Sequence, residues 1–262
     1  MFRSGFAFLF LATVFLPTSV AAESRLETVQ KNGEIKVCIW PGYYSISYRN
    51  PRTSVLEGVD IDMAREFASD LKVKLTFVDS SFAKLKENLT NNTCDIAMHG
   101  VGVREDRKKF MDFSAPHLAS GIYAVSMKSN DLIKAWSDID QEGVIAVVLK
   151  GSYMEPVMQS RLKKARVTVV DNFRAREQEV QSGRADVFMT DFPYGRRMAK
   201  LTKWARLLIP DEPIAPTPYA YAVPKGDPVW LARVNAFVKA VKADGRLSRS
   251  GAKHGLTPIV LY

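Results

Sequence analysis

The chain has 262 residues, with 37 Lys and Arg against 28 Asp and Glu, for a formal net charge of +9. That length admits one large domain or two lobes. The basic residues are scattered and do not alternate with aromatics in a stripe, which argues against a nucleic-acid surface, and two cysteines are too few for a disulfide scaffold.

Residues 1–22 place Arg3 before an apolar run from Phe6 to Leu16, and small residues then lead to Ala22. This is the pattern of a secretory signal peptide cut after Ala22, with Ala21 as the near alternative. The run is short for a membrane anchor, so no stable membrane insertion is expected. Removing residues 1–22 leaves 240 residues, with 36 cations against 28 acids and a net charge of +8. Export argues further against nucleic acid, and the basic balance favours acidic ligands or anionic surfaces. Cys38 and Cys94 lie in or beside expected strands of one region. An oxidising compartment would join them, and two small buried thiols are the other option; the sequence leaves both open. His99, His117 and His254 are dispersed, with His254 in a polar tail, so neither a metal site nor a cofactor is expected.

In chain order, IKVCIW (35–40) is a first strand, and the aromatic, turn-rich loop after it carries Tyr43, Tyr44 and Tyr48. A helix opens at Gly58 and runs to Leu71, with Asp60 and Asp62 suited to its positive end; a catalytic carboxylate pair is the sharper alternative. VKLTFV (73–78) is a strand, a helix with Leu85 and Leu89 follows Ser80-Ser81-Phe82, and DIAM (95–98) is the next strand. It opens through Gly100 and Gly102 onto Arg104-Glu-Asp-Arg107-Lys-Lys109. Strand, helix, strand, helix, strand at this spacing gives a mostly parallel sheet, with ligands beyond the strand carboxyl ends. An arginine-bearing turn with exposed backbone N–H groups there suits a carboxylate, and a solvated helix start is the plainer alternative.

A similar second unit follows. Strands are expected at 122–125, 145–148, 167–170 and 185–190, with a helix carrying Val157, Met158 and Leu162, another at 175–182 and one carrying Tyr194 and Met198. Gly151-Ser152 marks an anion-receiving helix start, and Asp191 is either a helix N-cap or a ligand carboxylate at the strand end. A strand at 221–224 and a final helix, Val229 to Lys242, complete the chain. Two α/β units with extended segments running between them imply two lobes and a cleft, the default ligand site.

The ordered set Gly58-Val-Asp-Ile-Asp62, Cys94-Asp-Ile-Ala-Met98, Arg107 with Asp112-Phe-Ser114, Gly151-Ser152, Gly183-Arg-Ala-Asp186 and Met189-Thr-Asp191 resembles the family 3 solute-binding proteins, the periplasmic amino-acid receptors of ABC importers. The likeness spans the mature chain. It implies an α/β, two-lobed type II periplasmic binding fold, with two mostly parallel sheets flanked by helices and a two-segment hinge. The lobes would be 23–121 with 220–262, and 122–219. It implies a monomer that closes over an amino acid or similar small carboxylate and meets a permease. By the same resemblance Arg107 clamps the α-carboxylate, Ser152 assists, Asp191 takes the α-ammonium, and Tyr43 and Phe82 sandwich the side chain. Gly100 and Gly102 line the site but supply no hydroxyl; the family usually has Thr or Ser at 102 and Thr at 104. With Arg104 adding charge, a ligand with a second acid group is also implied. His99 and Trp40 stand where smaller or acidic residues are common.

The chain also resembles cyclohexadienyl (prephenate/arogenate) dehydratases on this fold, through Ile139-Asp-Gln-Glu-Gly143, Leu162-Lys-Lys-Ala-Arg166 and Met189-Thr-Asp191. Such an enzyme needs a general acid after the second lobe's first strand, where Met154 stands and Glu155 is the neighbouring carboxyl. Accessory binding proteins of periplasmic dehydrogenases are a third resemblance.

Overall fold

The structure is a computed structural model that describes residues 23–262 and Met1. The expected signal peptide falls outside the described residues. The chain opens with α1 (Arg25–Asn32) and β1 (Glu34–Ile39), then makes a small sheet of β2 (Gly42–Tyr43), β3 (Ser47–Arg49) and β4 (Leu56–Glu57). Next come α2 (Val59–Leu71), β5 (Lys74–Asp79), α3 (Leu85–Thr90) and β6 (Ile96–Gly102). A 3-10 turn at Arg107–Lys109 leads to β7 (Met111–Phe113) and β8 (Leu118–Ser120). The second unit holds β9 (Tyr123–Met127), β10 (Ile145–Leu149), α4 (Met154–Arg161), β11 (Arg166–Val170) and α5 (Phe173–Gln181). It continues with β12 (Val187–Thr190), α6 (Phe192–Leu201) and β13 (Ala205–Leu208). The chain returns through β14 (Thr217–Pro224) to α7 (Pro228–Ala243) and α8 (Arg246–Lys253).

Among the described residues two larger sheets result beside the small one, one per lobe. The first is ordered β5-β1-β6-β14-β7 with β8 beside β14, and the second β11-β10-β12-β9-β13. In each sheet one strand runs against all the others: β14 in the first and β9 in the second. These are the strands that follow the two crossings between lobes. The crossings touch, since the Ile122 N–H donates to the Ile214 carbonyl at 3.0 Å. The first sheet takes in residues 217–219, which the sequence assigns to the second lobe, because β14 pairs with β8 from Thr217 onward.

The apolar runs explain the core. Every residue of β6 is buried, as is most of β10 and all of β12, as expected of strands covered on both faces. Helix α2 turns Val59, Ile61, Met63, Ala64, Phe67, Ala68 and Leu71 inward, and α7 adds Trp230, Val234, Phe237, Val238 and Val241. Cys38 and Cys94 form a disulfide with a Cα separation of 5.6 Å, which settles the pairing that the sequence left open. Closing a loop of 56 residues removes about 4 kcal/mol of unfolded-state entropy on a chain-entropy account.

Three expectations change. Strand β6 does not stop before its glycines; it runs through Gly100 to Gly102. Helix α7 is not the last, and His254 is not in a loose tail. Helix α8 folds back onto α2, where Asp62 accepts from Ser250 Oγ (3.0 Å), Lys253 Nζ (3.0 Å) and His254 Nε2 (2.8 Å). Helix α8 buries only Leu247, Ser250 and Gly251, so its sequence carries almost no apolar period. Asp60 is fully buried and accepts from the Gly100 N–H (2.7 Å) and His117 Nε2 (2.9 Å). Both acids at the start of α2 are therefore engaged within the first lobe, and neither faces a partner carboxylate.

Burial acts to raise the Asp62 pKa, but the donors His254, Lys253 and Ser250 outweigh it and hold the group at about 2, against 3.8 ordinarily. A depressed carboxylate contributes stability that is complete above pH 3.8 and lost as pH falls toward 2. In acid titrations followed by circular dichroism, Asp62→Asn is expected to be less stable than wild type at pH 6. The gap should close between about pH 4 and pH 2; a gap independent of pH would contradict the assignment.

Candidate functional site

The carboxyl ends of β1, β6, β10 and β12 face one another across the lobe junction, and the candidate residues lie there. Arg107 begins the 3-10 turn after β6 and is 5% exposed. Its Nη1 donates to the Gly102 carbonyl (2.8 Å) in its own lobe, and its Nη2 donates to the Gly151 carbonyl (2.7 Å) in the other. Its guanidinium carbon lies 5.6 Å from the centre of the Phe82 ring. Burial, with Arg104 adding to it, pushes Arg107 down to about 10, so it stays protonated at neutral pH. Lys108 and Lys109, next in sequence, are exposed. Arg104 is bidentate on Asp106 and also crosses the junction, donating from Nη1 to the Ser152 carbonyl at 3.0 Å.

Asp191 follows β12 and is 2% exposed. Its Oδ1 accepts from the Tyr194 N–H at 3.3 Å, the N-cap bond of α6. Its Oδ2 accepts from the hydroxyls of Tyr43 and of Tyr219, the latter at 2.8 Å. The N-cap option is met by one oxygen, and the other oxygen faces the first lobe. Burial raises its pKa, opposed by the Tyr43 and Tyr219 hydroxyls. Among the described residues, neither Arg107 nor Asp191 forms an ion pair.

The aromatic wall is larger than expected. Tyr43 and Phe82 meet edge to face at 6.0 Å, Phe82 meets Trp40 at 4.9 Å, and Phe173 from the second lobe packs on Trp40 at 4.6 Å and Tyr43 at 5.4 Å. Tyr43 and Phe82 are therefore adjoining walls and not opposed plates. Tyr153, Tyr219 and Phe173 are site residues that sequence reasoning missed. Tyr153 donates to the Gly121 carbonyl at 3.0 Å, and its hydroxyl lies 3.5 Å from that of Tyr219. The available signal was the pair Tyr219 and Tyr221 in a strand returning through the hinge.

The small residues differ from expectation. The Gly100 N–H is engaged by Asp60 and offers nothing to a ligand. Its φ of +64° and the Tyr43 ring, 2.8 Å from where a Cβ would sit, explain the glycine. Gly102 contributes its carbonyl to Arg107. The Gly151 N–H is not a free anion donor, because Glu155 Oε2 accepts from it at 2.6 Å. Gly151 lies flush against the first lobe: a Cβ there would come within 2.9 Å of the Ala83 nitrogen, so a side chain would hold the lobes apart. The Ser152 hydroxyl is buried with no hydrogen-bond partner among the described residues. Met154 is buried, and Glu155 lines a cavity of about 390 Å³ at the junction together with Phe82, Arg104, Arg107 and Gly151. Among the described residues, no three His, Cys, Asp or Glu side chains gather to hold a metal ion.

The site can hold an anion at Arg107 and a cation at Asp191, between aromatic walls. Comparison with known proteins bears on the fold and the family. Cyclohexadienyl dehydratase of Pseudomonas aeruginosa is 30% identical over 237 residues, covering 90% of this chain and 87% of the relative. The L-cystine-binding protein TcyJ of Escherichia coli is 25% identical over 236 residues, with 90% and 87% covered. The crystal structure of the ancestral amino acid-binding protein AncCDT-1, a precursor of cyclohexadienyl dehydratase, matches with a TM-score of 0.81 at 32% identity, covering 88% of this chain and 99% of that one. An ancestral arginine-binding protein bound to arginine matches at 0.76 and 28%, with 84% and 97% covered. The family model of bacterial extracellular solute-binding proteins, family 3, matches residues 35–257. With two lobes, a two-segment hinge and a match over most of its length, this chain belongs to that family.

Proposed function

We propose that this protein captures an amino acid or similar small carboxylate in the periplasm and presents it to the permease of an ABC importer. In this reading residues 1–22 are removed on export, and the lobes are 23–121 with the returning C-terminal segment, and the residues between. One observation carries it: Arg107 and Asp191 are buried groups of opposite charge on opposite lobes, and among the described residues neither forms an ion pair. A zwitterion offers each a charged partner at once, and only when the lobes are together. The carboxylate would replace the carbonyl partners of Arg107, with the buried Ser152 hydroxyl as an added donor. The ammonium would meet the Asp191 oxygen that Tyr43 and Tyr219 now occupy.

A second reading has its own observation. Glu155 shares a cavity with Arg107 and Phe82, and the dehydratase of Pseudomonas aeruginosa is 30% identical. A carboxyl beside a carboxylate clamp can serve as general acid to a leaving hydroxyl. Its Oε2 is already engaged by the Gly151 N–H at 2.6 Å, so binding without turnover is the reading preferred.

Three outcomes test these statements. By calorimetry against a panel of amino acids and small dicarboxylates, Arg107→Ala is expected to lose about 2–5 kcal/mol of binding by leaving a buried carboxylate unpaired; unchanged affinity would remove the clamp. Tyr43→Phe removes a lobe-to-lobe bond to a buried carboxylate, worth about 1.5–3 kcal/mol. The ligand-free variant should therefore show a larger radius of gyration in solution scattering than wild type, and an identical one would show that the bond does not hold the lobes together. Incubated with prephenate or arogenate, the wild type is expected to form no aromatic product. Turnover that Glu155→Gln abolishes would establish the dehydratase instead.

A further inference from the structure

The rings between Arg107 and Asp191 form a continuous chain of contacts. Phe82 lies under the Arg107 guanidinium, Trp40 touches Phe82, Phe173 touches Trp40 and Tyr43, and the Tyr43 hydroxyl returns to Asp191. A ligand held by its carboxylate and ammonium at the two charges points its side chain at this arc. Phe173 is the one member of the arc contributed by the second lobe, from the first residue of α5. It is stacked on Tyr194 at 4.8 Å and 14° and is 6% exposed. It sits so tightly on Gly42 that a Cβ there would come within 2.9 Å of its ring.

Behind Phe173 lies Arg176, 1% exposed. Its guanidinium carbon is 5.1 Å from the Phe173 ring and 4.6 Å from that of Tyr194. Nη1 donates to the Met189 carbonyl at 2.8 Å, and Nε is buried without a partner among the described residues. The π-faces that could draw a ligand cation are thus already drawing a resident one, and like charges in a dry site repel strongly.

We propose that Phe173, backed by Arg176, sets the side-chain class of the ligand: it packs on Trp40 and Tyr43 where a long side chain would run, so the site takes short, uncharged side chains and refuses bulky aromatic or extended cationic ones. The proposal rests on the amino-acid reading above. It separates this chain from the ancestral relative seen with arginine bound, although the fold is shared.

The experiment is a set of calorimetric titrations of the mature protein and Phe173→Ala with L-alanine, L-phenylalanine and L-arginine. Wild type is expected to bind L-alanine most tightly. In Phe173→Ala the affinity ratio of L-phenylalanine to L-alanine should rise at least about tenfold, the scale on which pocket size discriminates apolar groups. A wild type that prefers L-arginine or L-phenylalanine, or a ratio unmoved in the variant, overturns the proposal while leaving the amino-acid reading intact. Should Phe173→Ala not fold, Phe173→Leu reads the same ratio with less volume removed, and a rise of severalfold is then expected. If wild type binds none of the three, nor any other amino acid, the amino-acid reading fails and this proposal falls with it.

Discussion

A buried guanidinium must place its donors somewhere, and Arg107 places them on both sides of the junction. One carbonyl belongs to its own strand and the other to the turn after β10 in the opposite lobe. Arg107 is 5% exposed, so each bond is worth more than it would be in solvent, and leaving either unmade costs the desolvation of a charge. Arg104 repeats the arrangement one residue along, on the Ser152 carbonyl. The turn at 151–152 is therefore gripped by two arginines, and Gly151 permits the approach. Opposite it, the Tyr43 hydroxyl on Asp191 makes the reciprocal connection, a first-lobe donor on a second-lobe acid. The lobes interlock through groups that a zwitterionic ligand would have to displace and replace.

The sheets are built to deliver these groups to one place. Three parallel strands in each lobe aim their carboxyl ends at the junction, and the single reversed strand in each follows a crossing between lobes. Tyr219 rides on the reversed strand of the first sheet and reaches Asp191 in the second lobe. Tyr153, from the second lobe, reaches the Gly121 carbonyl in the crossing itself. Any change in lobe angle must alter these bonds, so the hinge and the site share components and move as one system.

Much of this was legible in the sequence, and the reasons are physical. Buried parallel strands are continuous apolar runs, so 35–40 and 145–148 stood out, as did the apolar faces of α2 and α7. Asp191 was marked by its place at a strand end, and Arg107 by the charged turn after β6 together with the family resemblance. What escaped was structure held by few residues or by charge. Strands β2, β3 and β4 have two or three residues each and show no period, and α8 is fastened by polar contacts to Asp62. Phe173 reads from its sequence as an ordinary apolar helix start, since its neighbours Trp40 and Tyr43 lie more than a hundred residues away. The competition of Asp60 for the Gly100 N–H and of Glu155 for the Gly151 N–H was equally invisible, because an amide's partner cannot be read from its own residue.

The Cys38–Cys94 bond lies wholly within the first lobe, joining β1 to the turn that enters β6. Its effect is lopsided. The second lobe holds no cysteine, so a reducing environment loosens one half of the molecule and leaves the other as it was. Before oxidation the two lobes have different reserves of stability, and unfolding need not be a single concerted event. The half that carries Arg107, Tyr43 and Phe82 then depends on its redox history, whereas the half that carries Asp191 and Phe173 does not.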